Sequence, residues 1–349
     1  MFSPLHDRHA TLGAALGALD GVELPARYTD LDVEVAAARR SAGLVDLAHI
    51  RQLTLSSPDV KRWANGMFTN NIRKLQPGQG SRSACCDDRG RVQGTLDLYC
   101  TADDEVIVLL DGVDDAWFAQ RYKMFMILDE IELDVAEQAP WLISLQGPEA
   151  TSLLSAAGLP VPEADHDHIH TGSARVARKD RTGLGGFDIL CDDDETAQKL
   201  WDALTAAGAS PLGHDALDAL RILAGRARWP KDGTEKSMVH ELLLNKEVCA
   251  FDKGCYVGQE VINRIDVKGG IQKRLTALRL DGPVPLGAVA WLNDRKLGAL
   301  TSTAAIAGVT YGLAVLRKQA WEEGTTVELR TEDGATHAAT VITPPLAGT

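Results

Sequence analysis

After residue 275 the chain becomes a succession of short segments in which apolar and polar residues alternate between turns rich in Gly, Pro and Asp. Alternation with a period of two is typical of strands with one buried face. Several such strands at close spacing favour an antiparallel sheet that closes on itself. We therefore predict a small antiparallel β-barrel at the C-terminal end. Its predicted strands are 275–280, 288–292, 297–303, 310–315, 326–329 and 337–342.

The preceding sequence mixes helical and strand patterns, which predicts an α+β protein. Residues 51–139 contain strand-like runs and two helical patterns, and they form a self-contained α+β unit in this interpretation. The Ala-rich opening sequence predicts helix, with a further helix over 32–40. A strong helix is predicted over 195–207, closed by Gly208. At 349 residues the chain is long enough for two or three domains.

Composition and charge exclude several classes of protein. Hydrophobic residues make up 45% and charged residues 24%, which is incompatible with a disordered, collagen-like or coiled-coil chain. The net charge of −13 disfavours nucleic acid and anionic membranes as partners, and no apolar run approaches the length of a membrane span. The six cysteines include no CxxC pair, so neither a disulfide framework nor a structural zinc site is indicated. We expect a cytoplasmic protein without stable nucleic-acid binding.

The densest chemical signal is the ten-residue segment 251–260, Phe-Asp-Lys-Gly-Cys-Tyr-Val-Gly-Gln-Glu. An apolar stripe after it predicts a helix that begins near Val257. Cys255 would then lie just before a helix N-terminus and two residues after Lys253, and both features favour a thiolate. The alternative is a small buried cysteine at a turn, which is the commoner situation for a single thiol.

Residues 253–260 resemble the K-G-C-Y-x-G-Q-E signature of the YgfZ-type folate-binding family, a branch of the glycine-cleavage T-protein (aminomethyltransferase) superfamily. The resemblance extends along nearly the whole chain, because other segments agree with superfamily motifs in the same order. These segments are 42–47, 69–80, 182–189, 220–225 and 298–302.

The resemblance implies a three-domain clover-leaf around a central opening that holds a folate. The implied divisions are a discontinuous folate-binding α+β domain at 1–50 plus 140–270, an inserted ferredoxin-like α+β domain at 51–139, and a C-terminal β-barrel domain at 271–349. The self-contained pattern of 51–139 agrees with such an insertion.

The resemblance also implies a function. The implied cofactor is tetrahydrofolate or a one-carbon derivative, and the implied role is assembly or repair of iron–sulfur clusters in a subset of client enzymes, with an indirect effect on tRNA modification. The alternatives are a folate-dependent aminomethyltransferase and a folate-dependent scaffold. In the T-protein branch an aspartate follows the "GRV" turn, whereas this chain has Thr95, with Asp97 two residues further on. A shift of two residues along a strand moves a side chain by about 7 Å, so we expect no aminomethyl transfer.

The resemblance and the residue pattern together suggest candidate site residues. Arg221 lies on the apolar stripe of a predicted helix, so it must be paired or face a cavity. Its partner is either a structural carboxylate such as Asp188 or a carboxylate of the folate's glutamate tail, and Asp188 is also the acid nearest the pterin-site motif. Glu241 is either a site acid or a solvated glutamate. From the signature, Lys253 and the functional thiol Cys255 are the catalytic candidates, and Tyr256 and Gln259 join the cofactor-binding candidates.

Two further patterns leave alternatives open. Residues 253–274 carry five cations against two acids, which suits either a solvated face or a landing site for polyglutamate, an anionic protein or RNA. RNA is the weaker option because Tyr256 is the only aromatic residue there. His166, His168 and His170 alternate, which suits either a polar edge or a metal site if all three lie on one strand. Cys85 and Cys86 are predicted to face the core and the surface respectively.

Overall fold

Three sheets and an N-terminal hairpin organise the molecule in a computed structural model, which describes residues 2–136 and 141–344. The first sheet has six strands in the order β10-β11-β12-β9-β3-β13, of which β3 precedes the 51–135 segment and the other five follow it. The chain therefore leaves this sheet after its first strand and returns to it about a hundred residues later. The strands are β3 (Gly43–Asp46), β9 (Trp141–Gln146), β10 (His168–Thr171), β11 (Ala174–Arg178), β12 (Gly186–Cys191) and β13 (Ser210–Pro211).

Helices flank this first sheet and the loops that follow it. In α7 residues 216 and 219–223 are buried, so the C-terminal half of this helix is enclosed on more than one face. The helix α6 ends at a left-handed Gly208, as predicted. The helices are α1 (His6–Thr11), α2 (Leu31–Arg40), α5 (Ala150–Ala156), α6 (Asp194–Ala207), α7 (His214–Leu223), α8 (Asn245–Val248) and α9 (Gln259–Lys268).

The second sheet belongs to the segment inserted between β3 and β9. It has five antiparallel strands in the order β5-β6-β7-β4-β8, with two helices against one face. Its elements are β4 (Arg51–Ser56), α3 (Val60–Met67), β5 (Gly80–Cys86), β6 (Val92–Ala102), β7 (Glu105–Asp111), α4 (Asp115–Leu128) and β8 (Glu132–Val135). The division into three domains, at 1–50 plus 140–270, 51–139 and 271–349, stays a prediction.

The third sheet is a closed six-stranded antiparallel barrel in the order β14-β17-β16-β15-β18-β19, so the predicted C-terminal barrel is confirmed. A cluster of buried aliphatic residues fills it, including Leu300, Leu316 and Leu329. The strands are β14 (Lys273–Leu280), β15 (Val289–Leu292), β16 (Arg295–Ile306), β17 (Val309–Arg317), β18 (Thr326–Arg330) and β19 (Thr336–Ile342), with a short 3₁₀ helix at Lys318–Ala320.

The Ala-rich opening is not one helix. After α1 the chain forms a hairpin of β1 (Ala15–Leu19) and β2 (Val22–Arg27). The hairpin turn is Asp20-Gly21, both with positive φ, and this dipeptide is a strong hairpin signal that outweighs the helix propensity of alanine. Pro25 within the second strand further disfavours a helix.

Both faces of the inserted sheet are buried, which corrects the prediction for Cys86. Cys85 packs in the core under α3 and α4, as predicted, whereas Cys86 lies in the large core on the opposite face of the sheet. A surface-facing residue was predicted because strand alternation normally places every second side chain in water. Here the second face packs against the rest of the molecule.

Candidate functional site: a central cationic cavity

A cavity lies between α7, the inserted sheet and the loops around residues 180 and 245. The empty space within it, open mouth included, is about 890 Å³. Because its walls come from distant parts of the chain, no single sequence motif marks it. Its charged and imidazole lining residues are His49, Arg82, Asp111, Lys179, Asp180, Arg181, His214, Asp218, Arg221, Arg226, Arg228 and Glu247.

Charged side chains dominate this cavity. Six cations and four carboxylates line it, a net charge of +2 in a chain whose overall charge is −13. Every one of these carboxylates lies within 4.0 Å of a cation, and Asp111 has the longest of these contacts. The pairs are Arg82 with Glu247 at 2.8 Å, Arg226 with Asp180 at 2.8 Å, Arg181 with Asp111 at 3.5 Å, and Arg221 and Lys231 with Asp218, each at 2.7 Å.

The pKa of Glu247 shows how strong this cationic environment is. Burial on its own would raise the pKa of this carboxyl, but the charges of Arg82 and Lys179 and the hydrogen bond from Arg82 outweigh burial and lower the pKa to about 2. Glu247 is therefore ionised throughout the physiological range. Its carboxylate pairs with the guanidinium of Arg82, which is a structural role.

Arg221 lies on α7, on the apolar stripe that the sequence predicted, and it is buried. Its guanidinium donates to Asp218 (2.7 Å), Asp232 (2.6 Å), Ser302 Oγ (2.7 Å) and the carbonyl of Arg226 (3.0 Å). Its carboxylate partners are thus Asp218 and Asp232, not the predicted Asp188. Because Ser302 belongs to β16, this network joins α7 to the barrel.

Arg228 differs from the other cations of the cavity. Among the described residues, no carboxylate lies within 4.0 Å of its guanidinium, whereas Lys179 and each of the other lining arginines has such a partner. Its backbone N–H donates to Asp232 at 2.9 Å, which fixes the main chain at the cavity wall. Arg228 therefore presents an uncompensated positive charge to whatever the cavity holds.

Two histidines stand beside this charge. His49 and His214 stack edge to face with their rings 5.1 Å apart, and both are more than half buried. Burial lowers the pKa of both, and Arg228 contributes further in the same direction, so both imidazoles are neutral at pH 7. His214 bonds to the carbonyl of Asp46 at 2.8 Å, but His49 Nδ1 is buried without a partner in the described structure. A buried unpaired ring nitrogen at a cavity wall is suited to a polar ligand.

Asp188 and Glu241 lie outside the cavity lining. Asp188 is fully buried and accepts hydrogen bonds from Ser144 Oγ (2.7 Å) and from the guanidinium of Arg181 (2.7 Å). It positions Arg181, which does line the cavity. Glu241 accepts from the backbone N–H of Met238 at 3.0 Å and closes a turn.

The position of the expected aspartate is occupied by a neutral group. Thr95 lies on β6 with its hydroxyl buried and unpaired, and it pairs across the sheet with Asp111 of the cavity wall. Asp97, two residues further along, is buried and accepts from Lys179 Nζ at 2.5 Å. Asp97 is therefore held in an ion pair, and Asp111 is the cavity-lining carboxylate next to the Thr95 position.

The signature loop, residues 251–260, packs outside the cavity and is tied down by its own polar groups. Lys253 Nζ donates to the carbonyls of Phe68 (2.6 Å) and Asn70 (2.5 Å) and lies 4.6 Å from the centre of the Tyr256 ring. Burial lowers the pKa of Lys253 to about 7. Gln259 Nε2 bonds back to the carbonyls of Lys253 and Gly254, each at 3.3 Å. The structure thus gives these residues contacts with the protein rather than with the cavity.

Gly258 explains part of the signature. Its φ is +83°, and a Cβ there would lie 2.6 Å from the carbonyl oxygen of Asp87. Only glycine permits this close approach of the signature loop to the hairpin turn between β5 and β6.

Cys255 is the one exposed cysteine of the six. The helix begins at Gln259 rather than near Val257, so Cys255 lies four residues before α9 instead of at its N-terminus. The Lys253 ammonium is occupied by two carbonyls. The alternative of a cysteine buried at a turn is thus wrong, whereas neither of the two features expected to favour a thiolate is found in the structure.

Each of the three alternating histidines contacts a different part of the protein. His166 lies in a turn with positive φ and contacts Lys179, His168 bonds to the Cys100 carbonyl, and His170 faces Asp192. Over residues 2–136 and 141–344, no group of three or more His, Cys, Asp or Glu side chains is arranged to hold a metal ion. In the same ranges, no helix has the length and hydropathy needed to cross a membrane.

The sequence missed the groups that make this cavity distinctive. Arg228, His49 and His214 were not singled out, because each sits in an ordinary local sequence. The available signal was weak: Arg226 and Arg228 follow Gly225, the glycine just after α7.

Comparisons with known proteins agree with this architecture. The family model described as "GCVT N-terminal domain" matches residues 5–253. Aminomethyltransferases from Rubrobacter xylanophilus and a Parafrankia species are each 30% identical to this chain, over 80% and 86% of it and over 76% and 85% of their own lengths.

A solved structure agrees at the level of the fold. Glycine cleavage system aminomethyltransferase T from Bartonella henselae superposes with a TM-score of 0.89 at 22% identity, covering 99% of this chain and 98% of that one. This match confirms the predicted α+β fold with its C-terminal barrel. Tetrahydrofolate, the predicted cofactor, is the one-carbon cofactor of the aminomethyltransferases in the matched family. The chain belongs to the GCVT family, the family of the glycine-cleavage T-protein.

Proposed function

We propose that this chain binds a reduced folate, tetrahydrofolate or a one-carbon derivative, in the central cavity. The observation that carries the proposal is the pairing pattern of the cavity: its carboxylates are neutralised, whereas the guanidinium of Arg228 is not. The glutamate tail of a folate ends in carboxylates, which a guanidinium binds through strong charge-assisted hydrogen bonds. The partnerless Nδ1 of His49 supports the proposal, because a pterin ring offers polar edges to such a group.

The finer proposal is the YgfZ-type role, in which the folate-bound protein assists assembly or repair of iron–sulfur clusters in client enzymes. The exposed thiol of Cys255 supports it, since a thiolate can bind iron or exchange disulfides and no other cysteine of the chain is exposed. The neutral Thr95 also supports it, because the position where the superfamily has an aspartate carries no carboxylate to activate a folate amine.

Aminomethyl transfer is the second candidate. It is favoured by the matched relatives, which are named aminomethyltransferases. It is also favoured by Asp111, whose carboxylate lines the cavity beside Thr95 and has only a long contact, 3.5 Å, to Arg181. If transfer occurs, Asp111 is the residue that would take the place of the expected aspartate.

Two parallel assays separate these candidates. The first measures tetrahydrofolate-dependent turnover of an aminomethylated lipoyl carrier by the wild type and by Asp111→Asn. Robust wild-type turnover that Asp111→Asn abolishes would establish the transferase and overturn the iron–sulfur proposal.

The second assay measures the activity of iron–sulfur enzymes in cells that lack the protein, complemented with the wild type, Cys255→Ser or the matched control Cys100→Ser. We expect restoration by the wild type and the control but not by Cys255→Ser. Restoration by Cys255→Ser would argue against a role for this thiol.

A further inference from the structure

The outer face of α4 carries a stripe of exposed apolar side chains. The inner face of this helix packs on the inserted sheet, and its buried residues are Phe118, Tyr122 and Met126. On the opposite side, Met124, Ile127 and Leu128 are 64%, 61% and 75% exposed. Their spacing of i, i+3 and i+4 places them next to one another on the helix surface. The helix therefore has apolar residues on both faces, and the inserted sheet covers one of them.

This stripe is larger than the scattered apolar residues found on most protein surfaces. Phe125 is 46% exposed and lies three positions before Leu128, so it widens the stripe. Over residues 2–136 and 141–344, no other run of four positions contains two exposed large apolar side chains. A contiguous apolar patch marks an interaction site, whereas single exposed apolar residues are ordinary.

Opposite charges lie at the two ends of the stripe. Lys123 precedes it and Glu130 follows it, both are exposed, and among the described residues neither has an ion pair. Asp129 differs, because its carboxylate is paired with Arg62 at 2.8 Å. Lys123 and Glu130 are seven positions apart, which corresponds to two helical turns, so they lie along the same edge of the stripe.

This arrangement complements a second copy of the same stripe. When two α4 helices pack antiparallel about a two-fold axis near residue 126, Met124 of each copy lies near Leu128 of the other. The same rotation brings Lys123 of each copy to Glu130 of the other, because both residues lie on one edge. A two-fold interface pairs a patch with itself, so a single patch must carry both members of every pair. The outer face of α4 meets this requirement for its apolar residues and for its charges.

An anionic membrane fits the stripe less well. Helices that lie in a membrane surface are rich in lysine and arginine on their polar face. Here Asp129 and Glu130 stand at one end of the stripe, and the chain has a net charge of −13. Anionic headgroups would repel both the local acids and the chain as a whole.

We propose that the outer face of α4 is the interface of a symmetric homodimer of this chain. Two 14-residue helices form a contact smaller than the roughly 800 Å² per partner of a standard interface. The dimer is therefore weak, and its population depends on the protein concentration. The inference is independent of the folate proposal, since no residue of the stripe lines the central cavity.

The first test is sedimentation velocity of the full chain between about 1 and about 200 µM, a range suited to a weak interface. The variant M124Q/L128Q makes the stripe polar, and the matched control V267Q/L286Q changes two exposed apolar residues elsewhere. We expect the wild type and the control to pass from monomer to dimer within this range. In M124Q/L128Q the dissociation constant should rise at least tenfold. A wild type that is monomeric throughout, or a stripe variant that dimerises as well as the wild type, would overturn the inference.

The second test exchanges the charges. Because each dimer contains the pair twice, K123E and E130K should each weaken dimerisation by at least about threefold. The double variant K123E/E130K should restore it, and an equimolar mixture of the two single variants should form heterodimers more tightly than either forms homodimers. Failure of both the double variant and the mixture to restore dimerisation would contradict the antiparallel arrangement. Binding of the wild type, but not of M124Q/L128Q, to vesicles that contain phosphatidylserine, without self-association, would assign the stripe to a membrane instead.

Discussion

The central cavity and the signature loop use charged and polar residues in opposite ways. The cavity collects its charged residues from distant parts of the chain, from Arg82 to Glu247, and leaves one guanidinium, that of Arg228, without a carboxylate. The signature loop is contiguous in sequence, and the polar groups of Lys253 and Gln259 bond to backbone carbonyls. What it leaves exposed is a single thiol, Cys255. A contiguous motif can thus consist mostly of residues that pack locally around one exposed group. The residues suited to bind a ligand come instead from distant parts of the chain.

Within the cavity, paired and unpaired cations are compared most sharply by Arg221→Ala and Arg228→Ala. For Arg221→Ala we expect a loss of about 3–5 kcal/mol in the free energy of unfolding, because this variant leaves Asp232 and Asp218 without their buried guanidinium. Urea denaturation at pH 7 measures it. The matched control is Arg228→Ala, which should lose less than about 0.5 kcal/mol. Equal stabilities for the two variants would contradict the assignment of Arg221 to a structural network.

The second prediction concerns acid. The pKa of Glu247 lies at about 2 in the folded protein, below its ordinary value of 4.5. The stability it contributes is therefore present above pH 4.5 and is lost as the pH falls towards 2. Because the Glu247 side chain is 37% exposed, solvent screens the pair, and we expect a total loss of only about 1 kcal/mol. Glu247→Gln should reduce the dependence of unfolding free energy on pH in this window, whereas Asp103→Asn, at an exposed ion pair, should leave it unchanged. An unaltered slope in Glu247→Gln would show that the pair with Arg82 contributes nothing.

Small stability effects are also expected at two cysteines near the signature loop. Cys249 is buried, and burial raises the pKa of its thiol to about 12, whereas Cys255 is exposed. Cys249→Ser should cost about 1–2 kcal/mol by burying a hydroxyl in an apolar site, and Cys255→Ser should cost less than about 0.5 kcal/mol. Thermal unfolding measures both. Iodoacetamide should label one thiol per native chain, at Cys255, and labelling of Cys249 at a similar rate would disprove the difference in burial.

The sequence was sufficient for those features that depend on local patterns. The alternating strands after residue 275 predicted the barrel, and the glycine at 208 predicted the end of α6. The prediction of a helix over the Ala-rich opening was wrong, because the two-residue turn at Asp20-Gly21 favours a hairpin more strongly than alanine favours a helix. The prediction that Cys86 faces the surface was wrong, because burial of the second sheet face depends on contacts between distant segments.

The site was predicted less well than the fold, for the same physical reason. An arginine on an apolar helix stripe must be paired, but the sequence could not tell that Asp218 and Asp232 supply the partners. The free arginine, Arg228, has no local feature that distinguishes it from Arg226. Which cation stays unpaired is decided by the tertiary arrangement of all the carboxylates around the cavity.

The measurement that tests the central claim most directly is a titration of tetrahydrofolate followed by tryptophan fluorescence, with the wild type, Arg228→Ala and Arg73→Ala. Trp229 lines the cavity next to the central one and is a suitable reporter. We predict saturable binding by the wild type and by Arg73→Ala, and affinity lower by about 1.5–3 kcal/mol in Arg228→Ala, because one charge-assisted hydrogen bond is lost. Absence of saturable binding by the folded wild type, or equal affinity in Arg228→Ala, would contradict the account.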